Sequence, residues 1–167
     1  TPLSSNQKLV LMTRAEYGFL GYYDSYRRSP FERYYVGGDG MTGYSYTYAT
    51  SAIKLRGYGN GSLTPKDPIT RRDAGNIYSR LSLELRYPLM LESTTTIYVL
   101  GFADAGNAWT DFSDFNPFDV KRSVGLGARV YLPMIGLIGV DWGYGFDKPY
   151  EIGGGGSNFH FVIGQEF

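Results

Sequence analysis

The chain has 167 residues with 16 basic and 16 acidic side chains, a zero net charge that gives no reason to expect nucleic acid, which binds through neutralised phosphates. It has no cysteine, which rules out disulfides and thiolate metal sites and suits an oxidising compartment. Mean hydropathy is −0.25 and no apolar run reaches about 18 residues, which excludes a membrane-spanning helix but not a spanning strand, whose alternation averages out as half polar.

The composition holds 16 Tyr, 10 Phe and 23 Gly. Aromatic residues favour strands, and glycine at this level marks turns and close backbone approach. The chain starts at Thr1 on a polar stretch without the apolar core of a secretory signal, as expected of a mature or truncated chain.

Two-residue alternation predicts about seven strands. The first sets Leu9, Leu11, Ala15, Tyr17 and Phe19 against Lys8, Arg14 and Glu16. A short turn over Gly21–Pro30 leads to a shorter candidate, Phe31–Gly37. A very long connection, Gly38–Asn76, follows. The clearest strand then sets Ile77, Leu81, Leu83, Leu85 and Tyr87 against Tyr78, Arg80, Ser82, Glu84 and Arg86, and charges of both signs on that second face require water or partners. After a short turn, Pro88–Thr94, comes a strand over Thr95–Gly106, with Leu100 and Phe102 on the side of Asp104. A long loop, Asn107–Lys121, precedes Val124, Leu126, Ala128, Val130 and Leu132 opposite Ser123, Gly125, Gly127, Arg129 and Tyr131. A tight turn, Pro133–Gly136, joins this to Ile138, Val140, Trp142, Tyr144 and Phe146 opposite Gly139, Asp141, Gly143 and Gly145. The loop Asp147–Ser157, whose Gly153–Gly156 tip reads as a natural loop or an engineered linker, leads to the last strand, where Phe159, Phe161, Ile163 and Phe167 share a side.

The expected fold is all-β: a transmembrane antiparallel β-barrel with a long external loop. Strands of about 9–11 residues span a tilted bilayer crossing, and connections alternating long and short match external loops and periplasmic turns. A soluble β-sandwich would show the same alternation. Aromatic enrichment, glycine on the polar faces and loop asymmetry favour the barrel. Seven strands are too few to close, so the sequence reads as a fragment of a larger barrel. A second copy sharing strand edges would be one way to cover them.

Leu55-Arg56-Gly57-Tyr58, in the longest loop, resembles the [VI]-R-G-[FY] motif of the sixth external loop in the BamA-type family of outer-membrane assembly factors. Phe102-Ala103-Asp104-Ala105-Gly106-Asn107 is similar to that family's F-x-D-x-G strand. Gly125-Leu126-Gly127-Ala128-Arg129 is similar to the strand after it, and Phe159–Phe167 resembles its C-terminal signal strand. The four segments occur in family order across nearly the whole chain. Tyrosine-rich loops and Glu-Leu-Arg-Tyr-Pro look most like the Bacteroidota branch.

The resemblance implies the last seven of sixteen strands, with earlier strands and POTRA domains absent from residues 1–167. It implies an insertase of the outer membrane that works without nucleotide, contacting outer-membrane lipid, nascent outer-membrane proteins and assembly-complex lipoproteins. A two-partner secretion pore, a TamA-like translocation factor and a passive structural barrel are the alternatives. The resemblance implies further that the loop folds into the barrel and that Arg56 pairs with Glu84 and Asp104. Gly125, Gly127 and Arg129 then line the docking wall, which Gly139, Gly143 and Gly145 on the same polar faces would also hollow out, unless these glycines only relieve curvature in a bent sheet; Phe159, Phe161, Ile163, Gly164 and Phe167 mark the seam strand, where Gly164 weakens pairing. A buried guanidinium needs such partners, and its fork suits carboxylates.

Glu84 and Asp104 could instead be read as a catalytic acid–base pair, but no nucleophile or base constellation accompanies them. His160 has no second ligand beside it and reads as a lumen or interface side chain. No catalytic residue, metal ligand or cofactor is therefore expected.

Overall fold

The computed structural model describes residues 8–21, 32–40, 50–68, 71–92, 95–134, 136–150 and 155–164. Its strands are β1 (Val10–Phe19), β2 (Arg33–Val36), β3 (Thr50–Ile53), β4 (Ile77–Leu91), β5 (Thr96–Trp109), β6 (Lys121–Leu132), β7 (Gly136–Gly145) and β8 (Gly156–Ile163). Six of them form one antiparallel sheet in the order β1-β4-β5-β6-β7-β8. The sheet is not closed on itself; β1 and β8 are its edges.

The all-β transmembrane reading holds, and the alternation explains why. Register pairs Glu84 with Phe102, Phe102 with Gly125, Gly125 with Gly143 and Gly143 with Asn158, so each strand's polar set falls on one face. That inner face carries buried Ser82, Glu84, Asp104, Ser123, Arg129, Asp141 and His160. Most of the aliphatic and aromatic rows point the other way and stay exposed, Leu83 by 46%, Leu126 by 64% and Phe159 by 69%. A soluble sandwich would bury those rows and wet the charges. Here the polar face is covered and the greasy face is open, the polarity a bilayer requires.

The wall has six strands rather than seven, because the segment expected over Phe31–Gly37 does not join it. β1 pairs directly with β4. Among the described residues, Leu20 and Asn76 therefore bound the connection between β1 and β4. Within it, Arg33–Val36 pairs in parallel with Thr50–Ile53 as a separate two-stranded sheet. The turn expected over Gly21–Pro30 lies almost wholly outside the described residues, as do Phe31 and Phe167. The loops after β1, β5 and β7 share one end of the sheet, and the turns after β4 and β6 share the other.

Two strands run longer than alternation predicted. β4 continues past Tyr87 to Leu91 through a register shift between Pro88 and Met90; a bulge is where a strand tolerates a residue that cannot donate to the ladder. β4 has 15 residues, about 50 Å when extended, more than a bilayer crossing needs. Its external end and that of β5 are roofed by the β5–β6 loop. Ile77, Ser79, Asn107 and Trp109 are buried there although parity turns them outward. Asn107 Nδ2 donates to the Asp119 carbonyl at 2.8 Å, and the Trp109 ring meets Phe115 edge-on with centroids 4.9 Å apart.

The apolar core lies inside, under the long loop. Val36, Leu55, Tyr58 and Leu63 of the loop pack with Ala108 of β5, flanked by Tyr34, Ile53 and Tyr78. Backbone bonds tie the loop down: Leu20 N–H to Asn76 O at 2.8 Å, Asn76 N–H to Trp109 O at 3.0 Å, and the Tyr150 N–H of the β7–β8 loop to Ser62 O at 3.0 Å.

Candidate functional site

The loop delivers Leu55-Arg56-Gly57-Tyr58 to the inner face of β4–β8. Leu55 is set by a two-way backbone bridge with Gly38, and its side chain packs over Gly106, where a Cβ would come within 2.7 Å of Leu55 Cδ1. The next residue, Arg56, is fully buried. Its Nε and Nη2 donate to the two Asp104 oxygens at 2.7 and 2.9 Å, the bidentate fork expected of guanidinium and carboxylate. Nη2 also donates to Ser82 Oγ at 3.1 Å, and Nη1 lies 2.7 Å from Glu84 Oε1. The guanidinium rests 3.7 Å above the centroid of the Phe102 ring, a cation–π contact in a desolvated setting. Burial works against the charge, but the hydrogen bonds and charge of Asp104, with Glu84 and Asp141, outweigh it and raise the Arg56 pKa above its ordinary value.

Glu84 and Asp104 therefore face one guanidinium, an arrangement of charge compensation. Around them the network extends. Arg86 Nη2 is 2.6 Å from Glu84. Asp141 of β7 lies 3.6 Å from Arg56 Nη1 and 3.7 Å from Lys54 Nζ, and Arg129 grips it bidentately at 2.7 Å on both arms. Three carboxylates, Glu84, Asp104 and Asp141, thus sit among four cations, Lys54, Arg56, Arg86 and Arg129. Arg129 and Asp141 are both fully buried, a state charges reach only when paired.

Gly57 follows with φ of 82°, a left-handed conformation that favours glycine. A Cβ there would meet Ser123 Cβ at 2.7 Å and the Gly145 nitrogen at 3.0 Å. Its N–H donates to His160 Nε2 at 3.0 Å, and its carbonyl accepts from Asn158 Nδ2 at 3.1 Å. Tyr58, also fully buried, donates its hydroxyl to the Arg122 carbonyl at 2.7 Å and accepts from the Asp147 N–H at 3.2 Å. Burial raises the phenol's pKa, which keeps the proton it donates.

The wall glycines divide into two groups. Gly143 and Gly145 are the direct seats of the loop, since a Cβ on Gly143 would touch the Gly57 nitrogen at 2.7 Å and one on Gly145 would touch the Tyr58 ring at 2.8 Å. Gly125 and Gly127 serve one contact further out: the first leaves room for the Phe102 ring beneath Arg56, the second for the Asp141 carboxylate. Arg129 likewise meets Asp141 rather than the loop motif. On β8, Phe159, Phe161 and Ile163 face outward and exposed. Gly164 lies just past the strand with φ of 106°, yet its N–H still donates to Leu137 O at 2.9 Å.

Sequence reasoning missed Phe102, Ser82, Asp141 and Asn158 as members of this site and left His160 without a role. Phe102 carried a signal: it shares the face of Asp104 two residues away, where an aliphatic row would point elsewhere. Nothing in the sequence singled out Asn158.

The family model described as the Omp85 superfamily domain matches residues 1–167, the whole chain. The chain belongs to the Omp85 superfamily. Among curated proteins nothing matches it. Omp85 members are outer-membrane or organellar outer-membrane β-barrels that insert or translocate proteins without enzymatic chemistry, which agrees with an outward apolar wall and an inner face occupied by a loop. In this Omp85 domain the inward loop is fastened at four successive residues, Leu55 to Tyr58, to strands β4 through β8 and the loops beside them.

Proposed function

We propose that this chain is the C-terminal part of a BamA-type barrel-assembly insertase, which folds client β-barrels into the outer membrane. The observation that carries this reading is the seating of Arg56. A passive barrel has no use for a loop tip fixed by a bidentate carboxylate, a second carboxylate and an aromatic ring. An insertase that opens near its last strand does, because the docked loop braces β5 to β8 while the seam exchanges partners. A client strand adding to the β8 edge would gain main-chain hydrogen bonds that lipid cannot offer. Nascent outer-membrane proteins and assembly lipoproteins are the partners this reading implies.

The test is made on the full-length protein reconstituted in liposomes, with the folding rate of client barrels and the passage of a secreted cargo measured separately. Replacing Arg56 by Ala should slow client folding at least tenfold. Folding at the native rate in that variant would sink the bracing role. A variant defective only in cargo passage would identify a two-partner secretion pore or a TamA-like factor instead.

A further inference from the structure

The loop is held to the wall by charges and to the last strand by something else. Both backbone groups of Gly57 are claimed by inner-face side chains of β8: the N–H by His160 Nε2 at 3.0 Å and the carbonyl by Asn158 Nδ2 at 3.1 Å. His160 is nearly fully buried. In the described sheet β8 pairs only with β7, so these two contacts fasten the loop tip to an edge strand.

An imidazole nitrogen accepts a hydrogen bond only while it carries no proton. His160 therefore holds Gly57 in its neutral form with the proton on Nδ1. Protonation turns Nε2 into a donor facing another donor. The groups around the ring do not resolve this. Burial of the ring is the largest influence and opposes the new charge; Asp39 of the loop and Asp141 of β7 favour it, while Lys54 and Arg56 of the loop oppose it. None of these charges alters the clash itself, in which the protonated Nε2 and the Gly57 N–H are both donors, and β8 itself carries no other titratable side chain between Gly156 and Ile163.

We propose that the last strand is latched to the inward loop through the two backbone groups of Gly57, with Asn158 and His160 as positioning residues, and that protonation of His160 releases the latch. The latch is closed at neutral pH and opens as pH falls below the ordinary imidazole value, about 6.5. Its consequence for client folding rests on the insertase reading; the latch itself does not.

The experiment is hydrogen exchange on the full-length protein in liposomes, followed on peptides covering residues 50–68 and 156–164 and corrected for intrinsic exchange rates. Wild-type protection should fall roughly tenfold between pH 8 and pH 5, the effect of one hydrogen bond lost and its donor left unpaired. His160→Gln, whose amide oxygen accepts without titrating, should hold protection constant across that range. His160→Ala should be low throughout, and Asn158→Ala should lower protection while keeping the wild-type pH dependence. Unchanged protection of β4 and β5 peptides certifies that each variant is folded. Superimposable pH curves for wild type and His160→Gln would overturn the latch. Client folding is measured on the same samples. Protection that follows the expected pattern while folding ignores pH leaves the latch standing and removes its link to insertion. Flat protection with Arg56-dependent folding removes the latch and leaves the insertase reading intact.

Discussion

Replacing Gly57 by Ala should undock the loop, and the structure sets the size of the effect. Two costs add. The residue has φ of 82°, and an L-residue held in the left-handed region costs about 1–2 kcal/mol. Its new methyl would also lie 2.7 Å from Ser123 Cβ and 3.0 Å from both the Gly145 nitrogen and the Tyr144 carbonyl carbon. Two of those three atoms are wall backbone that cannot swing aside, and overpacking of that kind costs about 1–3 kcal/mol. The sum, roughly 2–5 kcal/mol, shifts the docking equilibrium by about 30-fold or more. Gly136→Ala separates the two parts: its φ is 90°, but nothing lies within 4 Å of where its Cβ would stand. The assay is trypsin cleavage of the full-length protein in vesicles, read by mass spectrometry. Lys54 and Arg56 are shielded in the docked loop, whereas Arg71 and Arg72 are exposed and report protease access. Cleavage after Lys54 and Arg56 should rise at least 30-fold in Gly57→Ala, with cleavage after Arg71 and Arg72 unchanged. Cleavage at the wild-type rate would refute the claim that the loop backbone is pressed against β6 and β7.

Arg56→Lys should fail to restore docking, because one ammonium cannot span both Asp104 oxygens, Ser82 and Glu84; the same trypsin assay should show a loss of about 3–5 kcal/mol, as for a broken buried pair. The triple replacement Arg56→Met, Glu84→Leu, Asp104→Leu should behave differently, since it removes the buried guanidinium together with the two carboxylates that face it, and Arg86, which loses Glu84, is part-exposed; urea unfolding should find it within about 2 kcal/mol of wild type or more stable. The rim offers a pH test. The Arg122 guanidinium, hydrogen-bonded to Asp147, holds that carboxyl below the usual carboxylate range, and the Asp147 N–H meets Tyr58. A depressed folded-state pKa contributes stability that is present above the unfolded value, about 3.9, and lost as pH falls through the folded value. Protection of the 146–150 segment should therefore hold at pH 5 and decline below about pH 4, a decline that Asp147→Asn should abolish.

The wall was legible because a lipid-facing strand must alternate, and Leu81 to Tyr87, Val124 to Leu132, Ile138 to Phe146 and Phe159 to Ile163 do so without a break. Arg56 and its two carboxylates were legible through resemblance and the cost of burying a charge. What failed to show has a physical reason in each case. Arg33–Val36 has the composition of a strand and is one, but its partner is Thr50–Ile53 within the loop, and no local pattern names a strand's neighbour. Pro88 looked like the end of β4 because a bulge that excuses its missing N–H depends on the opposite strand. The role of Gly143 and Gly145 as loop seats, against that of Gly125 and Gly127 as room for Phe102 and Asp141, depends on which side chains lean over them, and spacing is the same for all four. Asn158 and His160 grip main-chain atoms, which carry no sequence signal at all.

A loop tip made of grease would bind this wall at least as well as an arginine does, so stability alone does not account for Arg56. A methionine could slide by several ångströms along the apolar core of Val36, Leu55 and Leu63 at little cost, because dispersion is indifferent to direction. The fork on Asp104, the Glu84 contact and the ring of Phe102 fix position and angle together, and through them the neighbouring residue arrives where Gly143, Gly145, Asn158 and His160 can receive it. The ionic network thus sets the register of the loop, and the register makes the contacts to β8 attainable. The triple apolar replacement should accordingly keep a stable barrel while trypsin finds Lys54 unshielded; a variant that is both stable and fully docked would show that shape alone places the loop.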